Sequence, residues 1–174
     1  MTTTEKKTAT SKDIQRALLL NLLQPDRTLM PNCFLGSFEM DLAMITRAGY
    51  LHEYEIKVSL QDWKNDGDKD KWKSRYRKYV PYLWYCIPLS LYEKLDKVTH
   101  MKDDYGIITF EPVWQDGRGW WLSMHVKKQA QQLPRTEKLT EELLDKIIKK
   151  GYHRYMSTVE ADAKANIYYG DKNG

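Results

Sequence analysis

Phe38-Glu39-Met40-Asp41-Leu42-Ala43-Met44-Ile45 and Tyr50-Leu51-His52-Glu53-Tyr54-Glu55-Ile56-Lys57-Val58 read as two adjacent strands, and the way they pair decides the architecture. Side chains alternate between the two faces of a strand, so Glu39 and Asp41 share one face of the first segment, and Glu53, Glu55 and Lys57 share one face of the second. The other faces carry Phe38, Met40, Leu42 and Met44, and Tyr54, Ile56 and Val58. A short turn at Arg47-Ala48-Gly49 would pair Thr46 with Tyr50, which sets Asp41 opposite Glu55 and Glu39 opposite Lys57. Two carboxylates then converge, with a lysine beside them.

Acidic groups on neighbouring strands suit a hard divalent cation, because Mg²⁺ prefers oxygen ligands and needs only one or two protein carboxylates. Such an ion polarises a phosphate and lowers the pKa of an attacking water. Lys57 stands where it could orient that water and stabilise charge on phosphorus. The alternative is a cross-strand ladder of salt bridges on a solvated sheet face. Acid-x-lysine triplets occur at Glu5/Lys7, Glu55/Lys57, Asp62/Lys64 and Asp162/Lys164, and of these Glu55/Lys57 alone sits in an apolar, aromatic run that follows another acid-bearing strand.

Working outward, residues 1–10 read as a disordered N-terminus, and Ser11 as the N-cap of a helix that ends near Leu23, with Ile14, Leu18, Leu19 and Leu22 as its apolar stripe. Leu29 to Leu35 is an edge strand or lead-in interrupted by Pro31 and Asn32. Leu60 to Tyr79 is a partly helical crossover, weakened at Asn65-Asp66-Gly67-Asp68, that leads to a buried strand at Tyr82 to Ile87. A short helix at Ser90 to Lys97 and a buried strand at Tyr105 to Phe110 follow. Val113 to Val126 offers an edge hairpin through Asp116-Gly117-Arg118-Gly119. Thr136 would cap an amphipathic helix from Glu137 to Lys150, stopped by Gly151, and residues 152–174 form a partly ordered tail. This order predicts an α/β protein in which one domain, residues 11–151, builds a mixed central sheet flanked by helices.

A chain of 174 residues can bury a substantial core without disulfides or structural metal. Net charge of +4 and a pI near 8.9 are compatible with a polyanionic partner. From Lys71 to Lys78 all charges are positive, which makes Lys71, Lys73, Arg75, Arg77 and Lys78 candidate phosphate contacts, with Trp72 and Tyr76 able to stack on an unpaired base. The competing reading is a solvated helix face whose aromatics turn inward. Cys33 and Cys86 lack zinc-site spacing, which implies a reducing cytoplasm, the host's for a virus-encoded chain; no window suggests a signal peptide or a membrane span. His52 falls on the face opposite Glu53 and Glu55 and is expected to pack or reach solvent rather than bind metal. No Gly-rich phosphate loop or Gly-x-Ser-x-Gly elbow is present, which argues against a nucleotide-driven enzyme and a serine hydrolase.

The segment from Pro31-Asn32 through Glu39-Met40-Asp41-Leu42, Glu55-Ile56-Lys57-Val58-Ser59 and Asp62-Trp63 to Trp84-Tyr85-Cys86-Ile87-Pro88 resembles the MmcB-like branch of the PD-(D/E)XK nuclease superfamily. The likeness spans roughly residues 12–110 and implies a restriction-endonuclease-like fold. It implies Asp41 and Glu55 as ligands of Mg²⁺ or Mn²⁺, the main-chain carbonyl of Ile56 as a further ligand, and Lys57 as the catalytic lysine. DNA is the implied substrate, in repair, recombination or processing of foreign DNA, with RNA as a lesser option and a homodimer compatible with two-strand cutting. Many members also use a Glu on the first helix, where this chain offers only Asp13 and Gln15, so Glu39 is the expected auxiliary acid. A catalytically inactive module that keeps the fold and binds nucleic acid or a protein partner is the alternative.

Overall fold

The computed structural model describes residues 8–36, 38–66, 75–95, 104–117 and 119–170; of residues 38, 66, 75, 76 and 158–170 only the backbone is described. Six strands form one sheet in the order β1 (Arg27–Leu35), β2 (Phe38–Thr46), β3 (Leu51–Ile56), β4 (Tyr82–Pro88), β5 (Gly106–Gln115) and β6 (Gly119–Lys128). β1, β2 and β3 make an antiparallel meander, β3, β4 and β5 run parallel, and β6 returns antiparallel to β5. Parallel neighbours need crossovers. α2 (Leu60–Asp66) and a 3-10 helix (Arg75–Tyr79) lie in the first, and α3 (Leu89–Leu95) in the second. α1 (Ser11–Leu22) precedes the sheet and α4 (Glu141–Gly170) follows it. This is the mixed, helix-flanked α/β sheet that the sequence predicts.

From Leu42 to Thr46 the hairpin register is as expected, but the ladder ends at the Leu42–Tyr54 pair and does not include the expected Asp41–Glu55 and Glu39–Lys57 pairs. Leu42 pairs with Tyr54 and Ile45 with Leu51, and the Thr46 amide donates to the Tyr50 carbonyl at 2.9 Å. Gly49 closes the turn at φ 83°, a conformation that favours glycine. The faces of β2 depart from simple alternation. Leu42 and Met44 pack with Tyr54, Ile56, Ile14 and Leu18 under α1, whereas Met40 joins Ala43, Ile45 and Leu51 in the cluster that also holds Ile147 of α4. The break lies at Asp41, between the Pro31–Leu42 and Cys33–Met40 pairs, opposite a left-handed Asn32 at φ 49°. One left-handed residue in the neighbouring strand disturbs the pleat, so Met40 and Leu42 end on different faces.

Several boundaries move. Thr10, not Ser11, caps α1: its hydroxyl accepts from the Asp13 amide at 3.2 Å, and the Asp13 carboxylate accepts from the Thr10 amide at 3.1 Å. Ala9 is buried against this helix, although it falls within the segment expected to be disordered. β5 runs through Pro112, which pairs with Leu122 of β6, while pairing with β4 ends at Phe110; beyond that point one side of β5 has no neighbouring strand to miss a proline N–H. α4 starts four residues later than expected, capped by Thr140, whose hydroxyl accepts from the Leu143 amide at 3.2 Å. It continues through Gly151, where the sequence predicts a stop, to Gly170; a Cβ at position 151 would stand 3.6 Å from Met30 Sδ of β1. No helix among the described residues is long and apolar enough to cross a membrane.

Two contacts lock the centre of the sheet. Gly106 pairs with Trp84, and a Cβ at position 106 would stand 2.7 Å from Trp84 Cζ3 and 2.8 Å from the Ala130 amide nitrogen. His52 stacks on Tyr82, with ring centroids 4.4 Å apart, and its Nδ1 accepts from Trp84 Nε1 at 3.3 Å. The ring packs, as expected. Burial first, then the charge of Arg27, lowers the His52 pKa from 6.5 to about 4.

Gly106→Ala should lower stability by about 1–3 kcal/mol through overpacking, measured as a shifted urea midpoint at unchanged slope. For His52 the unfolded chain binds the extra proton between the two pKa values. Its contribution is complete above about pH 6.5 and is lost as pH falls toward 4. Urea titrations from pH 7 to 4.5 should therefore show a steeper loss for the wild type than for His52→Asn, and equal slopes would contradict a neutral buried imidazole.

Candidate active site

The antiparallel β2–β3 pairing and the parallel β3–β4 pairing bring Asp41, Glu55 and Lys57 to the carboxyl end of β3. Asp41 reaches across to this strand: its Oδ2 accepts the Ile56 amide at 2.7 Å. Lys57 follows directly, with its own amide donating to the Cys86 carbonyl at 3.1 Å, so the β3–β4 ladder extends one residue past the strand end. Its Nζ lies 2.9 Å from Glu55 Oε2, and both residues are 2% exposed. The predicted trio thus meets at one strand end.

The surroundings explain the burial. Tyr85 is the register partner of Glu55, and it packs against Trp63 of α2 at 4.6 Å and Tyr105 at 5.5 Å. Ser59 starts α2 by accepting the Asp62 amide at 3.1 Å, and this holds Trp63 over the strand. On the other side, fully buried Cys86 feels burial most and then the charges of Asp41 and Glu55, and its pKa is pushed well up. The thiol stays protonated beside the two carboxylates. Asp41 itself is half-buried and is the most open of the three.

A third carboxylate belongs to this region. Glu53, on the same face of β3 as Glu55, is fully buried and pairs with Arg77 of the 3-10 helix at 2.7 Å. Alternation along β3 put Glu53 on that face, but no local pattern points to a partner 24 residues away. Cys33 senses the same charge: burial first, then Glu53, pushes its pKa up to about 12.

Two expectations change. Glu39, the expected auxiliary acid, is 2.6 Å from Arg154 of α4, and that guanidinium also donates to the Asn32 carbonyl at 3.0 Å. The longer α4 supplies a cation at the β1–β2 edge and draws Glu39 to it. From α1, the residue that reaches the cluster is Gln15, whose Nε2 donates to the Asp41 carbonyl at 2.8 Å and to Asn32 Oδ1 at 3.1 Å, while Asp13 is spent in the cap. A neutral amide therefore stands where an acid was sought.

Of the five candidate phosphate contacts, Arg77 turns inward to Glu53 and is withdrawn from the surface set. Lys78 is exposed and pairs with Glu137 at 2.9 Å. Arg75 is described by its backbone alone, and Lys71 and Lys73 lie outside the described residues.

Chemically, two carboxylates and the Ile56 carbonyl offer only hard oxygen donors, a set that fits Mg²⁺ or Mn²⁺ better than a thiophilic ion. Among the described residues no group of three or more His, Cys, Asp and Glu side chains converges in metal-binding geometry.

Neither protein-family models nor curated proteins match the chain. A solved structure of a protein of unknown function from Silicibacter pomeroyi is similar at a TM-score of 0.52 and 13% identity, over 94% of this chain and 92% of the other.

The Asp41–Ile56 bond yields a stability test. Asp41→Ala removes the acceptor of a part-buried amide and should cost about 1–3 kcal/mol in urea unfolding. Asp41→Asn keeps an oxygen in place and should cost clearly less; equal losses would show that the bond does not hold the strand end.

Proposed function

We propose that the protein is a Mg²⁺- or Mn²⁺-dependent deoxyribonuclease of restriction-endonuclease-like, PD-(D/E)XK type. The observation that carries this reading is the seating of the Asp41 carboxylate on the Ile56 amide, between Glu55 and Lys57, at the end of a buried strand. A chance acid-x-lysine triplet on a solvated sheet face has no such neighbour and no such burial.

Asp41 and Glu55 would hold the cation, with the Ile56 carbonyl as a third oxygen. Once bound, the ion supplies Lewis-acid polarisation of the phosphate and a more acidic water. Lys57 is kept in place by its ion pair with Glu55, and its ammonium stands ready to orient the nucleophile and to stabilise negative charge as it develops on the phosphate oxygens. Gln15 fixes the main chain at Asp41 from α1. The basic run from Lys71 to Lys78, less Arg77, supports contact with a phosphate backbone, and the resemblance to PD-(D/E)XK nucleases implies DNA repair, recombination or processing of foreign or viral DNA as the context.

A second reading draws on the 2% exposure of Glu55 and Lys57 and on the neutral Gln15. It is a module of the same fold that binds nucleic acid without cutting it.

Incubation with plasmid, linear duplex, single-stranded and branched DNA, and with RNA of matched sequence, in Mg²⁺ or Mn²⁺ separates the two. Cleavage that falls by about 10²-fold or more in Asp41→Asn and Lys57→Gln supports the nuclease. Cleavage equal in wild type and both variants assigns the activity to a contaminant. Retained binding without cleavage in the wild type favours the module.

A further inference from the structure

The two edges of the sheet are built differently. β1 is guarded against pairing: Pro31 removes one of its N–H groups, Asn32 disturbs the pleat at φ 49°, α4 packs along it, and Arg154 donates to the Asn32 carbonyl at 3.0 Å. β6 is the other edge, and among the described residues no strand pairs with its outer side. From residue 120 to 126 it holds no proline and no left-handed residue, and its register shift against β5 lies beyond that stretch, between the Ile108–Val126 and Ile107–Lys128 pairs. A regular, unguarded row of amides and carbonyls is a template for another strand.

The side chains indicate which strand. Trp120, Leu122, Met124 and Val126 alternate with Trp121, Ser123 and His125, and Ser123 stands at the centre of the seven. An antiparallel copy with its two-fold axis at Ser123 sets Leu122 opposite Met124, Trp120 opposite Val126 and Trp121 opposite His125, each pair formed twice. Trp121 is 48% and Val126 46% exposed, so both have apolar area to bury. Trp120 and Leu122 also line a groove of about 300 Å³ beside Ala17 and the 79% exposed Leu20 of α1, and this pairing brings Val126 of the second copy to that groove. Charge selects the same arrangement. Lys127 follows the stretch, and pairing about Ser123 keeps this residue in the two copies roughly 27 Å apart along the strands, well beyond a screening length of about 8 Å, whereas a parallel pair would set the two ammonium groups side by side.

We infer that β6 is a dimer interface, in which residues 120–126 of two copies pair antiparallel about Ser123 and join two six-stranded sheets into one. The axis is perpendicular to the sheet, so α1 covers the same face in both copies. The two Asp41–Glu55–Lys57 groups then lie at opposite ends of the joined sheet, and the interface stands independently of the nuclease reading.

Sedimentation equilibrium of the full chain should give twice the monomer mass of 20.6 kDa. Paired substitutions at the exposed Trp121 and His125, each checked for native circular dichroism, test the register. Trp121→Glu with His125→Glu places like charges at both contacts between copies, and Trp121→Glu with His125→Lys places opposite charges there, so the second variant should dimerise about tenfold or more tightly than the first. Ser123→Cys, on the axis, should form an intermolecular disulfide under mild oxidation, while Cys33 and Cys86 stay buried. Trp121→Cys, roughly 14 Å along the strands from its symmetry mate, should not. If either double variant fails to fold, the cysteine pair decides alone. A wild-type monomer would leave the edge to a strand of another protein and overturn the proposal. So would a dimer in which the two double variants associate equally, or one in which Trp121→Cys cross-links as readily as Ser123→Cys.

Discussion

Burying a carboxylate demands a cation within hydrogen-bonding reach, and β3 makes this demand twice. Lys57 meets it for Glu55 from the same strand. Arg77 meets it for Glu53 from the far end of the first crossover. These two pairs tie the geometry of the strand to its surroundings: Trp63 and Tyr85 exclude water above Glu55, and the 3-10 helix must dock where Arg77 can reach. Removing one partner of such a pair leaves an uncompensated charge in the interior, a larger penalty than the pair's own net worth. The position of the crossover is therefore an electrostatic requirement as much as a packing one.

Within that frame the hairpin was legible because its signals are local. Strand alternation, the glycine near the end of the turn and the Thr46–Tyr50 closure together fix the register that brings Asp41 to Glu55. β4 was legible for another reason: a run with no polar alternation suits a strand buried on both faces. The α1 stripe followed from helical spacing, and only its cap moved by one residue, since Thr10 and Asp13 form a reciprocal box that Ser11 cannot.

The remainder rests on contacts between distant residues. Glu39 reads as an auxiliary acid until α4 continues past Gly151 and presents Arg154 to it. Arg77 reads as one more surface cation of a basic run until the crossover turns it toward Glu53. The altered faces of β2 depend on Asn32 in the neighbouring strand, and a single strand's pattern does not record a left-handed residue opposite it. Gln15 was visible as the wrong chemistry for an expected acid, but its hydrogen bond to the Asp41 main chain emerges only from the packing of α1 on the sheet.

The route of the crossover has an evolutionary consequence. Its two ends are pinned, at Ser59 and Trp63 on one side and at Arg77 and Val80 on the other, by contacts within the sheet and its covering residues. The entropy of closing a loop rises only logarithmically with its length, about 0.6 kcal/mol for each doubling. Insertions between α2 and the 3-10 helix would therefore cost little while both anchors remain. The length of that connection can change by natural variation without disturbing the buried ion pairs at its two anchored ends.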